Sequence, residues 1–292
     1  MDDDNEDTVD YEENLVINKQ VTIEAYVSDG SFPWVKAALV NRHVCEIQES
    51  GVVLRGIKLT GATGISNAGI VLKADNVTVS GNVVSGNQRA MEVNSCQNRI
   101  TDNIIEQNDE VGILISNGCS NQVIGNTITG NAYGIQLKNA QDNVLYRNSF
   151  SSNEIANAIS EDSNSSWNSL EPIAYDYNGE TYTNYVGNKW DDYAGQDQDN
   201  DGLGDVAYPI DYGAQDEHPL VPEQEFGDAN GDGIVDGNDL IYIRKVILGL
   251  EIEEPLADIN KDEEVDGKDL ILIKKTIIGL KVSHVENMNG VE

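Results

Sequence analysis

Asparagine recurs about every 22 residues through the middle of this 292-residue chain, and this period restricts its fold more than any other feature. Three parallel series have spacings of 21 to 23 residues: Asn76, Asn98, Asn121, Asn143; Asn82, Asn103, Asn126, Asn148; and Asn87, Asn108, Asn131, Asn153. A fourth column, of small residues, keeps nearly the same step at Gly69, Ala90, Gly112, Gly134 and Ala156. A fixed period of this length predicts a solenoid, in which every repeat adds one coil to a stack.

Each repeat has the pattern of short β-strands separated by turns. Segments such as VTVSG and GIQLK alternate polar and apolar residues, and no repeat has room for a crossover helix. The residues one and three places after the small column are apolar, and we expect them to face the core: Ile70, Leu72, Met91, Val93, Ile113, Ile115, Ile135 and Leu137. About eight coils, stacked about 4.8 Å apart, predict a rod about 40 Å long.

The asparagines are predicted to lie at the turns. Stacked amides hydrogen-bond along a column, and Asn tolerates the left-handed backbone conformation. Cys96 and Cys119 occupy equivalent positions in successive coils, and we interpret them as stacked small residues, with a disulfide as the alternative. Of two N-glycosylation sequons, the one at Asn76 belongs to a ladder and is predicted to be buried, whereas the one at Asn164 is expected in a loop.

Four segments carry a family resemblance: NLVINKQVTI (14–23), GVVLRGIKLTG (51–61), GNKWDDY (187–193) and DVAYPID (205–211). Over residues 11–221 the chain resembles the right-handed parallel β-helix family, and within it the archaeal and bacterial surface proteins with NosD-like repeats. The resemblance implies a mainly β fold. Such proteins usually have an amphipathic capping helix before the first coil, and we do not expect one within this sequence, because the first coil is predicted to start near its beginning.

Two twelve-residue segments further along, DANGDGIVDGND (228–239) and DINKDEEVDGKD (258–269), begin 30 residues apart. Oxygen-bearing side chains occupy loop positions 1, 3, 5, 9 and 12, and position 7 offers its backbone carbonyl, which suits Ca²⁺. The predicted ligands are Asp228, Asn230, Asp232, Ile234, Asp236 and Asp239 in the first loop, and Asp258, Asn260, Asp262, Glu264, Asp266 and Asp269 in the second. A solvated acidic loop is the alternative, and the repeated spacing argues against it.

An amphipathic helix is predicted after each loop, at 239–250 and 269–280. No comparable helix precedes either loop, and Asp replaces the Glu usual at position 12 of an EF-hand. These features resemble a type I dockerin over residues 226–281. The resemblance implies two calcium ions and docking to a cohesin domain, and loop positions 10 and 11 help to set the partner: Gly237, Asn238, Gly267 and Lys268. Glu263 departs from the pattern because it occupies the turn-glycine position, which predicts a weaker second loop.

A third acidic loop, DQDNDGLGD (197–205), has the same alternation. Asp197, Asp199, Asp201 and Asp205 stand at positions 1, 3, 5 and 9, and Leu203 at position 7 offers a carbonyl. Position 12 is Tyr208, so the loop is not an EF-hand; it resembles the acidic calcium loops of extracellular proteins. We expect a third calcium ion to seal the end of the solenoid here, with a solvated linker as the alternative.

Charge excludes several classes of partner. Eighteen Lys and Arg against 51 Asp and Glu give a net charge of −33, which repels nucleic acids and anionic lipid and makes divalent cations natural counter-ions. No apolar run is long enough to insert into a membrane. Lys73, Glu92 and Lys138 are predicted on one outer side of the coils, but they are too thinly spread to indicate an acid–base pair. The histidines, His43, His218 and His284, are scattered and give no copper ligand set.

The sequence therefore predicts a modular extracellular or cell-surface protein. Its parts are an acidic tail (1–10), a β-helix with a calcium loop and cap (11–221), a linker (222–226), a dockerin (227–281) and a second tail (282–292). The dockerin is expected to bind a cohesin-bearing partner and to display the β-helix for carbohydrate or surface binding. The less favoured alternatives are a polysaccharide lyase, epimerase or hydrolase, and a structural component of the cell envelope.

Overall fold

The computed structural model describes residues 10–25, 32–222, 227–231, 234–251, 255–260, 262 and 264–278. The chain divides into two compact units, Met1–Val221 and Pro222–Glu292. The first is a parallel β-solenoid and the second contains two α-helices, so the predicted fold class is confirmed. Of the predicted tails and linker, only Asp10 and Pro222 are among the described residues, and Asp10 belongs to the first strand rather than to a tail.

Three parallel sheets form the solenoid, and each coil gives one strand to each of them. Sheet A has eight strands: Asp10–Glu12, Trp34–Lys36, Lys58–Thr60, Val83–Ser85, Ile104–Glu106, Thr127–Thr129, Ser149–Ser151 and Lys189–Trp190. Sheet B has seven: Leu15–Ile17, Cys45–Ile47, Ala68–Leu72, Arg89–Val93, Val111–Ser116, Tyr133–Lys138 and Ala156–Glu161. Sheet C has seven: Thr22–Glu24, Val53–Arg55, Thr78–Ser80, Arg99–Thr101, Gln122–Ile124, Gln141–Tyr146 and Asn164–Ser166. The stack therefore has about seven full coils rather than eight.

The turns between the sheets use a two-residue unit. A residue with positive φ comes first, such as Gln97 (φ 59°) or Gly125 (φ 68°), and a buried ladder asparagine follows it. The residue before each ladder asparagine, rather than the asparagine itself, therefore adopts the left-handed conformation. Asn76 (φ 59°) is the first residue of such a unit, and its side chain is exposed rather than buried. Val77 occupies the ladder position in that coil and donates its N–H to Asn98 Oδ1.

The buried asparagines are bonded in columns along the rod. In the column of Asn82, Asn103, Asn126, Asn148 and Asn188, each backbone N–H and each side-chain amide donate to Oδ1 of the next asparagine, at 2.9–3.1 Å. The same amides also donate to main-chain carbonyls, as Asn103 does to Val79. The columns therefore satisfy buried backbone groups that the short strands leave unpaired.

The core is a continuous stack of aliphatic side chains. All eight residues predicted to face inward have no solvent exposure, from Ile70 to Leu137. The column of small residues lies where the backbones of adjacent coils come close together. A Cβ at Gly134 would lie 2.3 Å from the carbonyl oxygen of Asn157. A larger residue at that position would therefore force adjacent coils apart.

The segment GNKWDDY closes the far end of the stack. Asn188 is the last member of its column, and Trp190 stacks between Phe150 and Tyr208 with ring centroids 4.4 and 4.2 Å away. Trp190 Nε1 donates to the buried carboxylate of Asp216 at 3.0 Å. An antiparallel pair precedes this segment in the chain, Ile173–Tyr177 with Glu180–Asn184, and a second one follows it, Tyr208–Pro209 with Gln215–Asp216, with a 3₁₀ turn at Asp211–Gly213.

A disulfide joins Cys96 to Cys119 across adjacent coils, with their Cα atoms 4.5 Å apart. The interpretation of these residues as free stacked side chains is therefore wrong, and the alternative is the observed state. Their equivalent positions one coil apart bring the two Cβ atoms within bonding reach. Cys45 remains a free, buried thiol.

The second unit is built on helices α1 (Gly237–Ile247) and α2 (Gly267–Ile277), with a 3₁₀ turn at Pro255–Ala257. Both helices begin two residues before the predicted start. Ile243 and Ile273 are fully buried between them, together with Ala229, Ala257 and Ile259. Neither helix has the length and apolar character needed to cross a lipid bilayer.

Candidate metal sites

Each of the two helices starts with the same reciprocal cap. Asp236 accepts the N–H of Asn238 at 2.6 Å, and Asp266 accepts that of Lys268 at 2.7 Å. In return, Asp239 and Asp269 accept the N–H groups of these capping residues at 2.7 and 2.8 Å. Loop positions 9 and 12 therefore place carboxylates at the helix N-termini, where the helix dipole favours negative charge.

The aspartate at position 12 is the centre of each loop. Asp239 and Asp269 have no solvent exposure. Besides the cap bond, they accept the N–H of Asn230 and of Asn260, both at 3.1 Å. Burial raises the pKa of Asp269. A buried carboxylate facing further carboxylates is destabilising unless a cation is present, so these residues fit a calcium ion as the sequence predicted.

The remaining predicted ligands lie along the same loops. Asp228 is buried, Asn230, Asp236, Asp258, Asn260 and Asp266 are partly buried, and Asp262, Glu264 and Ile234 are exposed. The exposed Ile234 side chain is consistent with a ligand role through its backbone only. Asp232, together with Gly233 and Glu263, lies outside the described residues, so the prediction for Glu263 stays a prediction.

Lys268 and Asn238 occupy the same position in the two loops but make different contacts. Its ammonium lies 2.5 Å from Asp262 Oδ2 and 3.7 Å from Asp266 Oδ2, and it lowers the pKa of Asp262. Asn238 instead donates its side-chain amide to Asp236 at 3.2 Å. A lysine predicted only as a partner-contact residue therefore also neutralises two predicted ligands of its own loop. Gly237 and Gly267 are exposed.

Among the described residues, the third loop holds three carboxylates close enough to share an ion. One oxygen from each of Asp197, Asp199 and Asp201 lies within 4.8 Å of the others. Asp197 accepts the N–H groups of Asp201 and Gly202 at 3.1 and 2.9 Å, and burial raises the pKa of Asp197. Asp205 accepts the N–H of Gln198 at 2.8 Å, and Leu203 is buried.

The outer face of sheet B carries charged side chains that pair with one another. Lys73 lies 2.8 Å from Glu46, and its hydrogen bond lowers the pKa of Glu46. Arg89 donates two bonds to Glu110, at 2.8 and 3.1 Å, and lies 3.3 Å from Glu92. Sequence reasoning found Lys73 and Glu92 but missed Glu46 and Arg89, because the register between coils was needed to place them.

Comparison with protein families gives two matches. Residues 6–195, more than half of the chain, match the family described as "Periplasmic copper-binding protein (NosD)". Residues 226–278 match the family described as "Dockerin type I domain". A search of curated proteins found no match.

Proposed function

Because the chain belongs to the NosD family and carries a type I dockerin domain after the solenoid, we propose that it is an extracellular modular protein that a cohesin-bearing partner holds through calcium-loaded loops. A dockerin domain implies a cohesin-type partner and calcium dependence. The observation that carries the proposal is the duplicated loop and helix, with identical caps and buried position-12 aspartates in both copies. In each copy an ion held by the loop would fix the start of the helix.

The proposed cohesin surface is the outer side of the two helices. Ile241 on α1 and Leu248 just beyond its end are more than half exposed, as are Ile271 on α2 and Ile278 just beyond its end. They lie at equivalent places, 30 residues apart, and each pair shares its helix face with a basic pair, Arg244-Lys245 or Lys274-Lys275. Apolar anchors rimmed by charge are typical of protein interfaces. Gly237, Asn238, Gly267 and Lys268 flank the anchors at the helix starts.

The near-identity of the two copies predicts two equivalent binding modes. We expect Ile241→Asp alone and Ile271→Asp alone to retain cohesin binding, because the other copy can present its surface. The double variant should bind at least tenfold more weakly. Calorimetry of the full chain with purified cohesin domains of the source organism, in calcium, measures this. Ile65→Asp, at a fully exposed position in the solenoid, is the control. A double variant that binds like the parent would exclude these helix faces.

We propose that the solenoid, held at the partner by the dockerin, binds carbohydrate or another surface. Support comes from the outer face of sheet B, where Lys73 pairs with Glu46, and Arg89 pairs with both Glu92 and Glu110. Carboxylates and guanidinium groups in fixed positions suit the hydroxyls of a glycan. Their pairing favours binding over acid–base catalysis. A glycan array with the full chain tests this, and Arg89→Met should lose at least half of the signal while Arg99→Met, on sheet C, should keep it. Equal signals from both variants would contradict a site on this face.

Copper, which the family description names, does not fit the residues described. His43 Nδ1 accepts the N–H of Ala68, whereas His218 stacks on Tyr185 near the far end of the solenoid. Cys45 is fully buried in the core. Among the described residues, one group of His, Cys, Asp or Glu side chains lies close enough together to share an ion, and it consists of Asp197, Asp199 and Asp201. All of its ligand atoms would be oxygens, which suit calcium better than copper.

A further inference from the structure

The acidic loop 197–205 lies between the two ranges matched by families, so neither match accounts for it. Three of its carboxylates lie within 4.8 Å of one another. Among the ion pairs of the described residues, none joins them to Lys or Arg. Their mutual repulsion is therefore not relieved by a basic side chain, and a cluster of this kind is costly unless a cation neutralises it.

A second, independent observation comes from the neighbouring hairpin. Tyr175 is only 8% exposed, and its hydroxyl has no hydrogen-bond partner although the hydroxyl is buried. Tyr175 lies in the same buried cluster as Leu203 of the loop, and burial, followed by the neighbouring Asp201 and Asp197 carboxylates, raises the pKa of Tyr175. Buried polar groups are seldom left without a partner, so a hydroxyl in this state indicates a water or ion in front of it.

We propose that Asp197, Asp199, Asp201 and Asp205, with the carbonyl of Leu203, bind a calcium ion, and that a water on this ion is the missing partner of Tyr175. All side-chain donors are oxygens at alternate positions of one loop, which is the donor set of calcium rather than of zinc or copper. The site goes beyond the dockerin function and does not depend on it, because every residue belongs to the first unit.

The loop is built into the cap of the solenoid. Leu203 packs in a cluster with Tyr175, Tyr177 and Val186. The N–H of Gly204 donates to Pro219 at 2.8 Å, and the N–H of Val221 donates to Gly202 at 3.1 Å. A calcium ion in the loop would therefore hold both the hairpin and the last residues of the first unit in place. We expect it to raise the stability of the cap.

Tryptophan fluorescence separates this site from the dockerin loops. All three tryptophans of the chain, Trp34, Trp167 and Trp190, lie in the first unit. We expect calcium to raise the melting temperature of the full chain, followed by tryptophan emission, by several degrees over the value in chelator. Asp199→Asn, an exposed ligand, should remove most of this shift and lower the bound calcium by one ion per chain. Asp211→Asn, an exposed acid outside the loop, should change neither.

Tyr175→Phe tests the hydroxyl directly. Without calcium the variant should be as stable as the parent or more stable, because it loses a buried hydroxyl with no partner. With calcium its affinity for the third ion should fall at least threefold. A calcium shift that is equal in the parent and Asp199→Asn, or an unchanged ion count, would overturn the proposal. A dockerin that fails to bind cohesin would leave these outcomes unaffected.

Discussion

At the residue scale, the solenoid depends on single buried asparagines. Asn126 accepts the backbone N–H and the side-chain amide of Asn103 and donates to Asn148, Ile100 and Ile124. One side chain thus serves three coils, where apolar strands alone would leave main-chain groups unpaired. Asp216 has a similar role at the cap, where it accepts N–H groups from Asn188, Trp190 and His218.

We predict that Asn126→Ala destabilises the solenoid by about 3 kcal/mol or more, because it leaves several buried donors and an acceptor without partners. Asn94→Ala, at an exposed position just after the strand Arg89–Val93, should cost less than about 0.5 kcal/mol. Chemical denaturation followed by tryptophan emission measures both. Equal unfolding free energies for the two variants would show that the column is not what joins the coils.

A pH dependence follows from Asp216. Burial raises its pKa from 3.8 to about 6. Between these values the folded state holds a proton that the unfolded state has lost, so this group favours folding more strongly as the pH falls from 6 towards 4. Its contribution has a slope of up to about 1.4 kcal/mol per pH unit. Asp216→Asn should remove this slope, as measured by unfolding free energies at pH 4 to 7 in chelator. Unfolding free energies that change with pH in the same way for the parent and the variant would contradict this prediction.

At the element scale, alternation places one face of each strand in the core. Ile104 and Ile105 are neighbours in the strand Ile104–Glu106, yet Ile104 is 40% exposed and Ile105 is fully buried. In the loop and helix units, the carboxylates that cap each helix are also predicted calcium ligands. Local stability and ion binding are therefore coupled in these elements.

The two isoleucines give a matched pair. We predict that Ile105→Asp unfolds the solenoid or lowers its stability by several kcal/mol, because an unpaired carboxylate would be buried, whereas Ile104→Asp costs less than about 1 kcal/mol. Melting curves by tryptophan emission distinguish them. Similar melting temperatures for the two variants would show that the register of this strand is wrong.

The second calcium loop is predicted to bind more weakly than the first. Calcium must displace the ammonium of Lys268 from Asp262 and Asp266, whereas the first loop has the uncharged Asn238 at the equivalent position. Lys268→Asn should raise calcium affinity at the second loop several-fold, whereas Lys275→Asn, which removes the same charge further along α2, should have a much smaller effect. Calorimetry of both variants measures this, and equal gains would indicate a general charge effect.

Much of this could be predicted from the sequence, and the exceptions have physical reasons. The inward residues and the ladder columns follow from a fixed period. Asn76 was misplaced because a turn unit holds two successive residues, and spacing alone does not say which of them an asparagine occupies. The state of Cys96 and Cys119 depends on Cβ directions, and the ion pairs of Glu46 and Arg89 depend on register between coils; neither is encoded in local pattern.

At the scale of the whole molecule, the acidic solenoid and the small dockerin unit both have acidic loops whose charge must be neutralised. The chain carries a net charge of −33, and its acidic loops concentrate that charge where a divalent cation reduces the repulsion. A structural disulfide such as that between Cys96 and Cys119 is typical of proteins in oxidising surroundings, which supports an extracellular location. Calcium outside a cell would then keep the binding unit folded.

The central claim is that calcium permits a cohesin to hold this protein through its second unit. The most direct measurement is binding of the full chain to immobilised cohesin domains of the source organism, in calcium and then in chelator. We predict saturable binding in calcium that is lost in chelator and returns when calcium is restored, while tryptophan emission shows the solenoid folded throughout. Binding that is the same with and without calcium, or no binding to any of these cohesins in calcium, would contradict the account.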